Sequence, residues 1–156
     1  MDCPVLVSAC LVGFRCRYDG SHKSHRAILK ALEGYSWIPV CPEQRAGLPT
    51  PRVPLAFAGG TGQEALRGDA KILQLNGIEV TPVLVRASRL LIRLAKSWGI
   101  KKGILKERSP SCGVSTTYVG DKLVEGVGIF TAMLVAEGIE VISEETIRYQ
   151  GLHHDL

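Results

Sequence analysis

The chain has 156 residues, 46% of them hydrophobic and 22% charged, and a net charge of +4. That is enough for one domain, 1–156, with a real core and no staples. No apolar run approaches the ~20 residues of a membrane span, residues 1–4 lack the marks of a secretory signal, and the charge is too mild for a nucleic-acid stripe; the expectation is a cytoplasmic protein.

Residues 4–9 (Pro4-Val5-Leu6-Val7-Ser8-Ala9) are apolar without alternation, as in a strand buried on both faces, and the run breaks at Cys10. A polar loop with Cys16, Arg17, Tyr18, Asp19 and Gly20 follows, then a loose helical pattern over 21–32 with Gly34 as its stop. Trp37-Ile38-Pro39-Val40 predicts the next strand, and it runs into Cys41-Pro42-Glu43. From there to Gly62, Pro and Gly recur so densely that the segment reads as a long ordered loop wrapped over a site. Gly59-Gly60-Thr61-Gly62 matches neither phosphate-loop nor dinucleotide fingerprint.

Residues 71–75 and 78–80, around Asn76-Gly77, predict a hairpin. Thr81 as N-cap and Pro82 at the first helical position open a helix that Gly99 stops. Leu84, Ala87, Leu91, Leu94, Ala95 and Trp98 make its apolar stripe. Arg86, Arg89, Arg93 and Lys96 occupy the opposite face, which reads as solvated, with nucleic-acid contact as the alternative. Gly103-Ile104-Leu105 predicts a buried strand. The chemically densest stretch follows it: Lys106-Glu107-Arg108-Ser109-Pro110-Ser111-Cys112-Gly113. Residues 116–119 and 122–124 predict a small hairpin about Gly120-Asp121, and 126–136 a helix ended by Gly138. Residues 139–142 predict a last strand, with Ser143 capping a short helix that starts with Glu144 and Glu145. His153 and His154 fall in a polar tail and read as solvated. Alternating strands and helices predict an α/β fold with a mostly parallel sheet.

Five cysteines, an odd number, argue against a disulfide framework in a reducing compartment. Cys10, Cys41 and Cys112 each fall at or just beyond the carboxyl end of a predicted strand, where open α/β sheets collect ligands. Three convergent thiolates suit zinc or an iron–sulfur cluster. The absence of a Cys-x-x-Cys pair disfavours a zinc ribbon, and the spacing is not that of a ferredoxin. Three thiolates on a cluster leave one iron open to act as a Lewis acid. Glu43 and Ser109 are tethered close to such a centre, and Lys106 and Arg108 are placed to balance its negative charge. Cys3 is given no role.

Three groups of residues together resemble the family catalogued as domain of unknown function 523, which includes thiouracil desulfidases. They are Ser8-Ala9-Cys10-Leu11 with Arg17-Tyr18-Asp19-Gly20; Cys41-Pro42-Glu43 with Gly47-Leu48-Pro49-Thr50-Pro51-Arg52; and Lys106-Glu107 with Ser109-Pro110-Ser111-Cys112-Gly113. The resemblance runs from about residue 5 to 144. It implies a Rossmann-like domain with an oxygen-sensitive 4Fe–4S cluster on Cys10, Cys41 and Cys112. The free iron would take the sulfur of a thiolated pyrimidine such as 2-thiouracil, and water would replace that sulfur without net redox change. Glu43 matches the family's acid/base carboxylate, and Ser109 is preferred over Ser111 as the assisting hydroxyl. From their position alone, and not from the resemblance, Tyr18, Asp19, Arg52 and Ser111 are assigned to substrate binding. Cys16 is the open position: a fourth ligand there would close the cluster, and an open site is the expectation. In air the centre would hold the cluster, zinc or nothing. The alternatives are a four-cysteine redox or metal-binding module, or a protein acting on thiolated tRNA.

Overall fold

The computed structural model describes residues 3–150, with the side chains of Tyr149 and Gln150 left out; His153 and His154 lie outside the described residues. Four strands make the first sheet: β1 (Val5–Ser8), β2 (Trp37–Val40), β5 (Lys102–Leu105) and β8 (Glu140–Ser143). Their order is β2-β1-β5-β8, and every neighbouring pair is parallel. Helices cover both faces, so the central strands read as unbroken apolar runs. Alternation still sorts their side chains. Val5, Val7 and Ile104 pack with Ile28, Leu32 and Ile147 on one side of the sheet, the side of α1 (Arg26–Ala31) and α6 (Glu144–Gln150). Leu6 and Leu105 pack with Leu91, Ile92, Phe130 and Leu134 on the other, from α4 (Thr81–Ser97) and α5 (Ile129–Ala136).

The Pro- and Gly-rich segment is not the irregular loop that its composition predicts. It holds α2 (Pro42–Arg45), β3 (Leu55–Ala58) and the start of α3 (Gly62–Arg67). A capping box closes the N-terminus of α3: the Thr61 amide donates to Glu64 Oε2 at 2.9 Å while the Thr61 hydroxyl meets the N3 amide. β3 joins β4 (Lys71–Gln74), β6 (Thr116–Val119) and β7 (Lys122–Glu125) in a second sheet of order β4-β3-β6-β7. This sheet is mixed: β3–β4 and β6–β7 are antiparallel, β3–β6 parallel. β4 therefore takes β3 as its main partner, and the predicted hairpin with 78–80 shrinks to one bridge, Leu73 with Glu79.

The start of α4 also differs by one residue from the expectation. Val80 is the N-cap, and the Thr81 hydroxyl accepts from the Ile72 amide at 2.8 Å, tying the helix to β4. Arg86, Arg89 and Arg93 are exposed, and Lys96 pairs with Glu137. Among the described residues no helix is long and apolar enough to cross a membrane.

Candidate metal centre

β1 lies between β2 and β5, all three parallel, so their carboxyl ends leave one edge of the sheet side by side. After Ser8 the chain tightens into a 3₁₀ turn, Ala9–Val12, which carries Cys10 and ends at Gly13 with φ +105°. After Val40, Cys41 is the N-cap of α2, and Pro42 starts the helix. After Leu105, a ten-residue loop leads through Cys112 towards β6. The Lys106 amide donates to Ser8 Oγ at 3.0 Å, and Ser8 also contacts the Cys112 thiol, so the ends of β1 and β5 are knitted together. Cys16 joins this group: it is buried in one core cluster with Cys10, Cys41 packs against that cluster, and the Cys16 carbonyl lies 4.0 Å from the Cys41 sulfur. Cys3 is exposed and stands apart from these thiols.

A cavity of about 520 Å³ opens at this edge, lined among others by Cys10, Cys16, Cys112, Glu43, Arg52, Ser109, Tyr18 and Tyr118. Contact with Cys10 and burial push the Cys16 thiol up to about 11. Contact with Cys16, and then burial, raises Cys41; burial raises Cys112. Neutral thiols of this kind bind metal only when the metal displaces their protons. Among the described residues no three His, Cys, Asp or Glu side chains converge on the position of a single ion. A lone zinc needs such convergence, at about 2.3 Å from each sulfur. A polynuclear cluster, whose irons take one thiolate each, does not. The soft donors and the adjoining cavity fit an iron–sulfur cluster better than zinc.

The Cys112 loop is held from two sides. Ser109 Oγ accepts from the amides of Ser111 (3.2 Å) and Cys112 (3.0 Å). The first turn of α5 donates back into the loop: Ile129 to the Pro110 carbonyl and Phe130 to that of Ser111, both at 2.9 Å, and Thr131 Oγ1 to that of Cys112 at 3.0 Å. These bonds satisfy helix-start amides that have no partner inside the helix. Gly128, the N-cap, lies so close that a Cβ there would meet the Ser111 carbonyl and the Cys112 amide. Backbone cannot yield as a side-chain tip can. Gly128→Ala is expected to cost about 1–3 kcal/mol of stability and to lower the iron bound per chain, checked by urea unfolding and by iron and sulfide analysis after anaerobic reconstitution.

Glu107 and Glu144 anchor the start of the same loop. Glu107 Oε1 accepts from the amides of Val114 and Ser115 (2.7 Å each) and Thr116 (3.0 Å), and Oε2 accepts from Ser115 Oγ at 3.0 Å. Glu144 Oε2 accepts from the Glu107 amide at 2.7 Å, and Oε1 from Lys106 Nζ at 2.8 Å. Lys106 and Arg108, expected to balance thiolate charge, are instead paired with Glu144 and Glu145. Sequence reasoning gave Glu107 and Glu144 no such part.

Glu43 sits in the first turn of α2, two residues past Cys41. Its Oε2 accepts from Arg52 Nε at 2.7 Å and its Oε1 from Ser111 Oγ at 3.0 Å. Arg52 also donates to the Cys16 carbonyl (2.8 Å), Thr50 Oγ1 (3.2 Å) and the Pro49 carbonyl (3.3 Å), and its side chain is only 4% exposed. Arg52 and Ser111, expected at the substrate, are thus bound to Glu43. The hydroxyl on Glu43 is that of Ser111; Ser109 holds its own loop and faces the cavity. Tyr18 lines the cavity mouth at 42% exposure with the Arg17 guanidinium 5.5 Å from its ring centre. Asp19 is not brought to the cavity. It is exposed and accepts from the Ser21 amide at 3.0 Å and from the Ser21 hydroxyl, which holds its carboxyl below the usual range.

A family model described as 2-thiouracil desulfurase matches residues 5–146. The chain is 39% identical over 146 residues to the uncharacterized protein YbbK of Bacillus subtilis (strain 168), covering 92% of this chain and 97% of YbbK. Among solved structures it is similar to the 4Fe-4S-dependent thiouracil desulfidase TudS, with TM-score 0.80, 36% identity and 94% of each chain covered. Conserving the fold over that length, the chain belongs to the 2-thiouracil desulfurase family.

Proposed function

We propose that this protein is a desulfidase that removes sulfur from a thiolated pyrimidine, or a similar small thioamide, and releases it as hydrosulfide. The observation that carries the reading is Glu43, clamped between Arg52 and Ser111 at a cavity bordered by the thiols of Cys10, Cys16 and Cys112. Kinship with TudS, a 4Fe-4S-dependent thiouracil desulfidase, supports it. Cys10, Cys41 and Cys112 would hold a 4Fe–4S cluster, which when bound supplies an iron without a protein ligand as a Lewis acid for the thiocarbonyl sulfur.

The protein's own groups do the rest. Glu43 accepts a proton from the water that adds to the thiocarbonyl carbon. The carbon–sulfur bond then breaks, a carbonyl forms, and the sulfur leaves as hydrosulfide with the second proton of the water. No electrons are exchanged with a partner. Arg52 and Ser111 hold both oxygens of Glu43, so little reorganisation is needed as the proton arrives. The Ser109 hydroxyl faces the cavity and meets a polar edge of the substrate. Tyr18 offers its ring at the mouth as a flat surface for a heterocycle. Anaerobic reconstitution with iron and sulfide, followed by turnover of 2-thiouracil, tests the reading. The expected result is one uracil and one hydrosulfide per substrate; a fully loaded protein that leaves 2-thiouracil and other small thioamides intact overturns it.

A further inference from the structure

We propose that the second sheet gives this cavity an apolar wall, built from Pro54, Ala56, Leu75 and Tyr118, that receives the C5–C6 edge of the pyrimidine ring and any alkyl group carried at C5. This rests on the reading above that the substrate is a thiolated pyrimidine, and it says which members of that class are preferred. The four residues line the same cavity as Glu43 and Ser109.

Strand register puts them on one face. The Leu75 amide donates to the Pro54 carbonyl at 3.1 Å, which extends the β3–β4 ladder by one pair. Where β3 runs parallel to β6, Phe57 lies beside Val119, so Ala56 lies beside Tyr118. Phe57 and Ile72 are buried in the core with Leu84 and Ile129, and Val119 packs against them. Successive side chains on a strand point to opposite faces, so Pro54, Ala56, Leu75 and Tyr118 share the outer one. Leu73, opposite Ala56, and Leu123, opposite Tyr118, continue the apolar surface beyond the cavity lining. A sheet face left to water is ordinarily polar. Here Leu75 is 70% exposed and Tyr118 37% exposed. Single apolar residues on a surface are ordinary, but a contiguous group that borders a cavity marks a place where something binds.

The cavity is therefore two-sided in its chemistry, and so is the ring of 2-thiouracil. Its N1–H, C2=S, N3–H and C4=O are polar, whereas C5 and C6 carry only hydrogen. C5 lies across the ring from C2. With C2 presented to Glu43, the C5 corner points away from the base, and the apolar wall is the part of the lining that takes it without stranding a hydrogen-bonding group. An alkyl group at C5 then extends over Leu75 and Tyr118 and removes apolar surface from water on both partners.

The test uses the anaerobically reconstituted enzyme. It compares turnover of 5-propyl- with 5-methyl-2-thiouracil, and calorimetric binding of 5-propyl- with 5-methyluracil, which have no sulfur to lose. A fully buried methylene is worth about fourfold in affinity, so two are worth about 15-fold. The wall covers one side of the group, and the expected propyl preference is about 3- to 10-fold, in kcat/KM through KM and in affinity alike. Leu75→Asp and Tyr118→Ser should each bring both ratios down towards one. A parent that treats propyl and methyl compounds alike overturns the proposal, and so do variants that both keep the parental ratio. Should Tyr118→Ser fold poorly, Leu75→Asp decides, because that side chain lies largely in solvent. The sulfur-free pair separates the two failures. A propyl preference in binding, with no thiouracil turned over, strikes the desulfidase reading and upholds the wall; turnover of 2-thiouracil without a propyl preference strikes the wall alone.

Discussion

Glu43→Gln is expected to lower kcat for 2-thiouracil by about 10²- to 10⁴-fold, the range that a positioned proton acceptor supplies. Iron and sulfide content should stay at the parental level. Glutamine has the shape of glutamate, and its carbonyl oxygen can still accept from Arg52 Nε, where Oε2 now sits 2.7 Å away. Its amide can meet Ser111 Oγ in the place of Oε1. The fold around Cys41 and Cys112 is therefore kept, and only the capacity to take a proton is lost. Ser111→Ala makes a graded comparison. It removes one of the two tethers but leaves the carboxylate, so its kcat should fall less than that of Glu43→Gln, with KM near the parental value. Stopped assays of uracil formation under anaerobic conditions, normalised to iron, measure both. A Glu43→Gln protein that turns over at the parental rate removes Glu43 from the chemistry.

The first sheet was legible because its strands are buried on both faces. The apolar runs at 4–9, 37–40, 103–105 and 139–142 all became its members, within a residue or two at each end. The three thiol-bearing strand ends were legible for the same reason, since parallel strands point their carboxyl ends one way. The second sheet was hidden. Leu55-Ala56-Phe57-Ala58 is a four-residue strand between prolines and glycines, too short for period to outweigh its flanks, and its pairing with β6 spans about sixty residues of chain. The supports of the site were hidden too. Glu107, Glu144 and Ser8 look like ordinary polar residues in sequence, and only the packed loop shows that each holds backbone amides in place. Asp19 misled in the opposite direction, because its Tyr-Asp-Gly turn closes on itself through Ser21 and not on the cavity.

Glu107→Ala is expected to destabilise the protein by about 3–5 kcal/mol, the scale for removing one member of a buried charged network. The residue is 2% exposed, and its carboxylate is the common acceptor of three backbone amides and one hydroxyl. Alanine would leave those amides, in the turn that follows Cys112 and Gly113, without a protein acceptor. The loss should also depend on pH. Burial works against the charge of Glu107, but the amides of Ser115 and Thr116, with the Ser143 hydroxyl and the Val114 amide, outweigh it and hold the carboxyl below the ordinary glutamate value. A carboxyl lowered on folding contributes stability that is full above its unfolded pKa, about 4.3. That contribution is lost as pH falls through the lower, folded value. The gap in urea unfolding free energy between parent and Glu107→Ala should therefore be widest at pH 6–7 and narrow steadily below about pH 4. A gap that stays constant from pH 7 to pH 3 would mean that the charge on Glu107 does not hold the loop.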